Sequence, residues 1–108
     1  MIKPSTVVFI DEKLENSFNS LKDEDPIKKS IVSAIRELKK NAFSGIQVPK
    51  NLIPKEYIKK YGIKNLWKYD LPKGWRLLYT ITADNEVELI SAILEWFDHQ
   101  EYERRFNY

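Results

Sequence analysis

The sequence predicts an α+β fold in which an N-terminal strand and a pair of helices precede a three-stranded antiparallel meander. Three observations predict it. Apolar residues recur at helical spacing through the first forty positions, strand-like runs crowd the second half, and a glycine turn separates two of those runs. The chain has 108 residues, the length of one domain. Hydrophobic residues make up 43% of it, enough for a packed core and too many for a disordered chain.

The elements follow in order. Residues 6–10 (TVVFI) form a β-branched apolar run and read as a strand. Asp11 is placed to cap a helix, in which Leu14, Phe18 and Leu21 recur at i, i+4 and i+7. Asp25-Pro26 is the next start signal, a capping side chain followed by proline at the first helical position. Beyond it Ile27, Ile31, Ala34, Ile35 and Leu38 make one apolar stripe, with Lys29, Arg36 and Lys40 opposite, and Gly45 ends the region. These two helices are expected to form a hairpin on one face of the sheet. Residues 47–62 carry Pro49 and Pro54 and read as a connection bearing lysines, with a short helix at 54–61.

Strands are expected at 65–71, 75–82 and 86–94. Pro72-Lys73-Gly74 suits a three-residue hairpin loop with glycine in the left-handed position, and Asp84-Asn85 suits a tight turn. The tail from 98 reads as a helical turn or a strand extension. Of the neighbours Trp96 and Phe97, one should be buried and the other partly exposed.

The three-residue loop pairs Leu71 with Trp75 and sets Asp70 opposite Arg76. Side chains alternate along a strand, so Lys68, Asp70, Arg76 and Thr80 share one face, left polar. Trp67, Tyr69, Leu71, Trp75, Leu77, Tyr79 and Ile81 share the other, which the helices must cover. A slip of one residue would reverse every assignment.

Composition narrows the chemistry. There is no cysteine, which excludes disulfides, thiolate metal sites and a cysteine nucleophile. Residues 1–10 lack the long apolar run of a signal peptide, and no stretch approaches a membrane span, so a cytoplasmic location is expected. No glycine-rich phosphate loop or metal-ligand cluster is spelled out, and no cofactor is expected. Net charge is only +2, from 18 basic and 16 acidic residues, yet the interval 50–68 holds six lysines against one acid, Glu56. Those lysines fit either an RNA backbone or an ordinary solvated surface.

The polar face also has two readings. Arg76 fits a phosphate through paired hydrogen bonds with Lys68 adding charge, or it forms a plain cross-strand ion pair with Asp70. His99 is the one histidine, and an imidazole is the side chain suited to proton transfer near neutral pH, although a lone histidine in a polar tail is more often a surface residue. Tyr102 and Phe106, at i and i+4, fit base stacking or the closing edge of a core.

The stretch NLWKYDLPKGWRLLYTI at 65–81 resembles the central hairpin of RelE/ParE-type toxins, in which a lysine-bearing strand leads through a glycine turn to an aromatic-Arg-Leu-x-Tyr strand. The β-α-α-β-β-β order is similar to that fold, and residues 93–106, with Asp98-His99 and Glu101-Tyr102, resemble its last strand and its histidine-to-tyrosine close. The resemblance implies a toxin of a toxin–antitoxin system. Its RelE branch is an endoribonuclease that cleaves messenger RNA, usually on the ribosome and without metal. Its implied partners are a cognate antitoxin, in an oligomer with it, and RNA or the ribosome, with no membrane. Carried over, Arg76 stabilises the phosphate, Lys68 matches a catalytic lysine, and Tyr102 or nearby His99 matches the C-terminal residue that stacks on or protonates the substrate. Two positions depart from the pattern. Asp70 stands where a second lysine is usual, and Gln100 and His99 stand where an arginine near the last strand is usual. A non-catalytic binding protein of the same fold, with an antitoxin, ribosome or gyrase as partner, is the alternative.

Overall fold

A computed structural model describes residues 2–83 and 89–106. The expected turn at Asp84-Asn85 and the start of the strand expected at 86–94 lie outside the described residues. Strand β1 is Ser5–Phe9, helix α1 Glu12–Asn19 and helix α2 Pro26–Lys40. The short strand β2, Ile46–Gln47, and helix α3, Lys55–Tyr61, follow, each preceded by a single 3-10 turn. Then come β3 (Trp67–Asp70), β4 (Arg76–Ala83), β5 (Leu89–Phe97) and helix α4 (His99–Phe106). No helix among the described residues is long and apolar enough to cross a membrane.

The caps are the expected ones. Asp11 accepts from Leu14 N at 2.8 Å and Asp25 from Ile27 N at 2.9 Å, each satisfying an amide that the first helical turn leaves free. Ile31, Ala34 and Leu38 of the α2 stripe are buried.

The fold is α+β, but the sheet has five strands, in the order β1-β5-β4-β3-β2, where three had been expected in the meander. β1 lies parallel to β5 at one edge, and the other pairs are antiparallel. The fifth strand, β2, is the one the sequence hides. Its two residues, Ile46 and Gln47, are both exposed and too few to show a period.

A second correction concerns the polar face. One sheet face meets α1 and α2 around Leu77, Tyr79, Ile81 and Ile93, as expected. The other is not left open to solvent. Leu78, Leu94 and Phe97 form a second core there with Tyr57 of α3 and Tyr102 of α4. Leu78 lies between Arg76 and Thr80 in the alternation, and burying its side chain stabilises by about 2 kcal/mol. The tail takes the helical alternative, because Phe97, Tyr102 and Phe106 need an apolar surface to cover.

Between Leu78 and Tyr79 the pairing with β5 slips, from Leu78↔Glu95 to Tyr79↔Ile93. This bulge gives β5 an extra residue, so Leu94 and Glu95 both serve the α3/α4 side. Trp96 returns to the α1 side, beside Phe9 and Phe18. Of the expected buried and part-exposed pair, Phe97 is the buried member and Trp96 the half-buried one.

Gly45 lets β2 approach the sheet. A Cβ there would lie 2.5 Å from Lys68 O and 2.7 Å from Tyr79 Oη. The Tyr79 hydroxyl accepts from Gly45 N at 3.0 Å and donates to Ala42 O at 2.8 Å. Gly45→Ala is therefore expected to cost about 1–3 kcal/mol by overpacking against backbone. Thermal denaturation followed by circular dichroism measures this, and an unchanged midpoint would mean that β2 does not approach so closely.

Candidate functional site

The β3–β4 hairpin has the register deduced from its turn. Leu71 N donates to Trp75 O at 2.8 Å, and Asp70 lies opposite Arg76. The turn needs two left-handed residues rather than one: Lys73 has φ 60° and Gly74 φ 80°. At the far end Asn65 clamps the register with its side chain, which donates to Ile81 O at 2.8 Å and accepts from Ile81 N at 2.9 Å. Thr80 is buried and donates to Asn65 O at 2.8 Å, so it serves this clamp and not an open face.

Lys68 and Arg76 consequently point to the same side. Both meet Tyr102 of α4: Lys68 Nζ is 5.2 Å from the centre of its ring and the Arg76 guanidinium carbon 5.3 Å. An aromatic face attracts cations through its quadrupole, and the one ring holds two like charges near each other. Tyr102 is only 4% exposed and also packs on Phe97 and Phe106. In this arrangement its ring covers the cation pair.

Carboxylates answer the charges. Arg76 Nε lies 3.0 Å from Asp70 Oδ1, but its N–H is not aimed along a hydrogen bond, so the contact is an ion pair by distance with the buried donor unmatched. The Arg76 side chain is 17% exposed and that of Asp70 51%. His99 opens α4 beside the hairpin turn, where a Cβ on Gly74 would lie 3.2 Å from His99 Cβ. Its Nε2 is 2.8 Å from Glu103 Oε1. Of the four expected site residues, Lys68, Arg76 and Tyr102 converge, and His99 stands at the turn end engaged with Glu103.

The sequence reading missed a second cluster behind them. Glu95, on the bulge, accepts from the Tyr57 hydroxyl of α3, while Arg105 Nη1 of α4 donates to it at 3.1 Å. Arg105 Nε lies 3.5 Å from Glu101 as well. Arg105 thus sets a guanidinium against the last strand from α4. The available signal was an acid inside the apolar run ILEWF, which an ordinary alternating strand would not bury. Burial, reinforced by the Glu95 carboxylate, pushes the Tyr57 phenol well above its ordinary range. Burial opposes the Arg105 charge, yet Glu95, Tyr57 and Glu101 hold its pKa above the usual value. This network ties both helices to β5 and sets where Tyr102 lies.

Among the described residues, no group of three or more histidine, aspartate or glutamate side chains is placed to hold a metal ion. Comparison with protein-family models, with curated proteins and with solved structures gave no match.

The buried tyrosines set an alkaline limit. Burial pushes Tyr79 up to about 12 from 10.0. Its folded-state pKa is the raised one, so its contribution is complete below pH 10 and fades as pH rises towards about 12. Absorbance titration should show fewer tyrosinates near pH ~11 in the native protein than in denaturant, where all titrate near ~10. The denaturation midpoint should fall over the same interval, less steeply in Tyr79→Phe. Identical native and denatured titrations would contradict the burial of these phenols.

Proposed function

We propose that this chain is a toxin-type endoribonuclease of RelE/ParE-like fold that cleaves messenger RNA through the RNA's own 2′-hydroxyl. The observation that carries this reading is the convergence of Lys68 and Arg76, from the two arms of one hairpin, on the single ring of Tyr102. Support for the fold comes from the strand–helix–helix order and the antiparallel β3-β4-β5 meander.

The chemistry asks for few groups. The 2′-oxygen attacks phosphorus, the 5′-oxygen leaves, and a 2′,3′-cyclic phosphate remains. One proton is removed from the nucleophile and one is delivered to the leaving oxygen. Arg76 and Lys68 balance the charge that grows on the phosphorane, where preorganised donors are most effective. The unmatched Arg76 Nε–H suits this role, since a phosphate oxygen would supply its missing acceptor. His99 carries a proton at the turn end, and Tyr102, whose ring lies over both cations, stacks on or orients a base. The substrate must also draw Arg76 away from Asp70.

A second reading has its own observation. Arg76 already faces Asp70 at 3.0 Å and His99 already faces Glu103 at 2.8 Å, as in a binding protein that keeps the fold without the reaction.

Incubating the purified protein with a fluorescent RNA separates the two. On the nuclease reading, Arg76→Ala lowers cleavage about 10²–10³-fold with its circular dichroism unchanged. Asp70→Asn, which removes the competing carboxylate, strengthens RNA binding several-fold. Intact RNA with the unaltered protein, together with harmless expression in cells, would favour the binding protein.

A further inference from the structure

On the α3/α4 side of the sheet, the side that also carries the cation pair, runs an open groove of about 880 Å³. One wall is the connection into α3, residues 51–56, and the other is the outer side of α4. Lys55 projects from the first wall and Arg104, 77% exposed, from the second. Two acids line it as well. Glu101 is engaged by Arg104 at 3.1 Å and by Arg105 at 3.5 Å, and Glu56 is the one other acid of the lining, near the exposed Lys50, Lys55 and Lys59 in sequence.

The groove is also apolar in a particular way. Leu52 is 54% exposed at its edge, and Phe106 contributes a half-buried ring. Phe106 stacks on Tyr102 with ring centres 4.5 Å apart, and Tyr102 in turn touches Lys68 and Arg76. A continuous aromatic step therefore leads from the groove to the cation pair.

We propose that this groove docks single-stranded RNA, with Lys55 and Arg104 on its phosphates and the Phe106 side receiving a base, and that it feeds the strand towards Lys68 and Arg76. The proposal rests on the nuclease reading for what happens at the end of the track. Single-stranded RNA is the partner that offers both a repeating negative charge and flat apolar faces, the two properties that this groove answers. An acidic peptide supplies the charge without the flat faces. The open shape suits a strand passing across it.

The test is fluorescence anisotropy with a labelled 2′-O-methyl octauridine, which cannot undergo 2′-hydroxyl attack, titrated between ~50 and ~200 mM salt. Lys55→Glu with Arg104→Glu should weaken binding about tenfold or more. It should also lower the slope of log K against log salt by about 1.4, for two phosphate contacts on a single strand. Lys55→Gln with Arg104→Gln, which adds no repulsion, should lower the slope similarly while keeping the unaltered protein's thermal midpoint. Lys29→Glu with Arg36→Glu, on exposed positions of α2, makes the same change in net charge and should weaken binding far less. Equal losses in the groove and α2 variants, or no RNA binding at all, would overturn the groove. So would binding of a glutamate-rich helical peptide that the groove variants abolish while RNA binding is unaffected. Cleavage of an ordinary RNA is read separately. Groove-dependent binding without cleavage retains the track and removes the nuclease, whereas cleavage and binding indifferent to the groove variants remove the track alone.

Discussion

The register of the β3–β4 hairpin is the constraint on which the rest depends. Side chains alternate along a strand, so one residue of slip would turn Lys68 and Arg76 into the α1/α2 core and bring Trp67 and Leu77 out. The register is held at both ends. The backbone bond between Leu71 and Trp75 closes the turn, and the Asn65 side chain bonds Ile81 as another strand residue would. The turn accepts a left-handed Lys73, a conformation that costs a non-glycine residue about 1–2 kcal/mol. The apolar face that this register buries offsets that strain.

The bulge in β5 is the second constraint. One extra residue puts Leu94 in the second core and Glu95 against both α3 and α4, without moving Trp96 from its aromatic neighbours Phe9 and Phe18. A partly buried carboxylate needs partners, and Tyr57 and Arg105 supply them from two different helices. The same network that satisfies Glu95 fixes α4, and α4 carries Tyr102 over the cations. One acid thus holds α3 and α4 against the same strand.

Much of this was legible in the residues. The α2 stripe and its Asp25-Pro26 start describe a helix whatever surrounds it, and Pro72-Lys73-Gly74 sets a loop length that fixes which residues oppose each other. Shared faces follow from that, so the residues alone put Lys68 and Arg76 on one side of the hairpin. β2 was hidden because two exposed residues carry no period. The second core was hidden because Leu78 stands alone among polar neighbours, and because the α3 surface is written mostly in lysine. The bulge was hidden by its nature, since an extra residue breaks the alternation by which a strand is recognised and made β5 seem to end early. The carboxylate partners of Arg76 and His99 follow different rules. Asp70 follows from cross-strand register, whereas Glu103 engages His99 only once the tail is a helix.

The proposed function stands or falls on whether Lys68 and Arg76 receive a phosphate in place of the Tyr102 ring. Its most direct measurement is nuclear magnetic resonance of the Arg76 Nε–H, the Lys68 ammonium and the Tyr102 ring during titration with an uncleavable oligoribonucleotide. The account predicts saturable shifts at both cations and loss of their through-space contacts to the Tyr102 ring as RNA takes its place. Unmoved Arg76 and Lys68 signals, with Tyr102 still seated on them while RNA binds elsewhere or not at all, would contradict it.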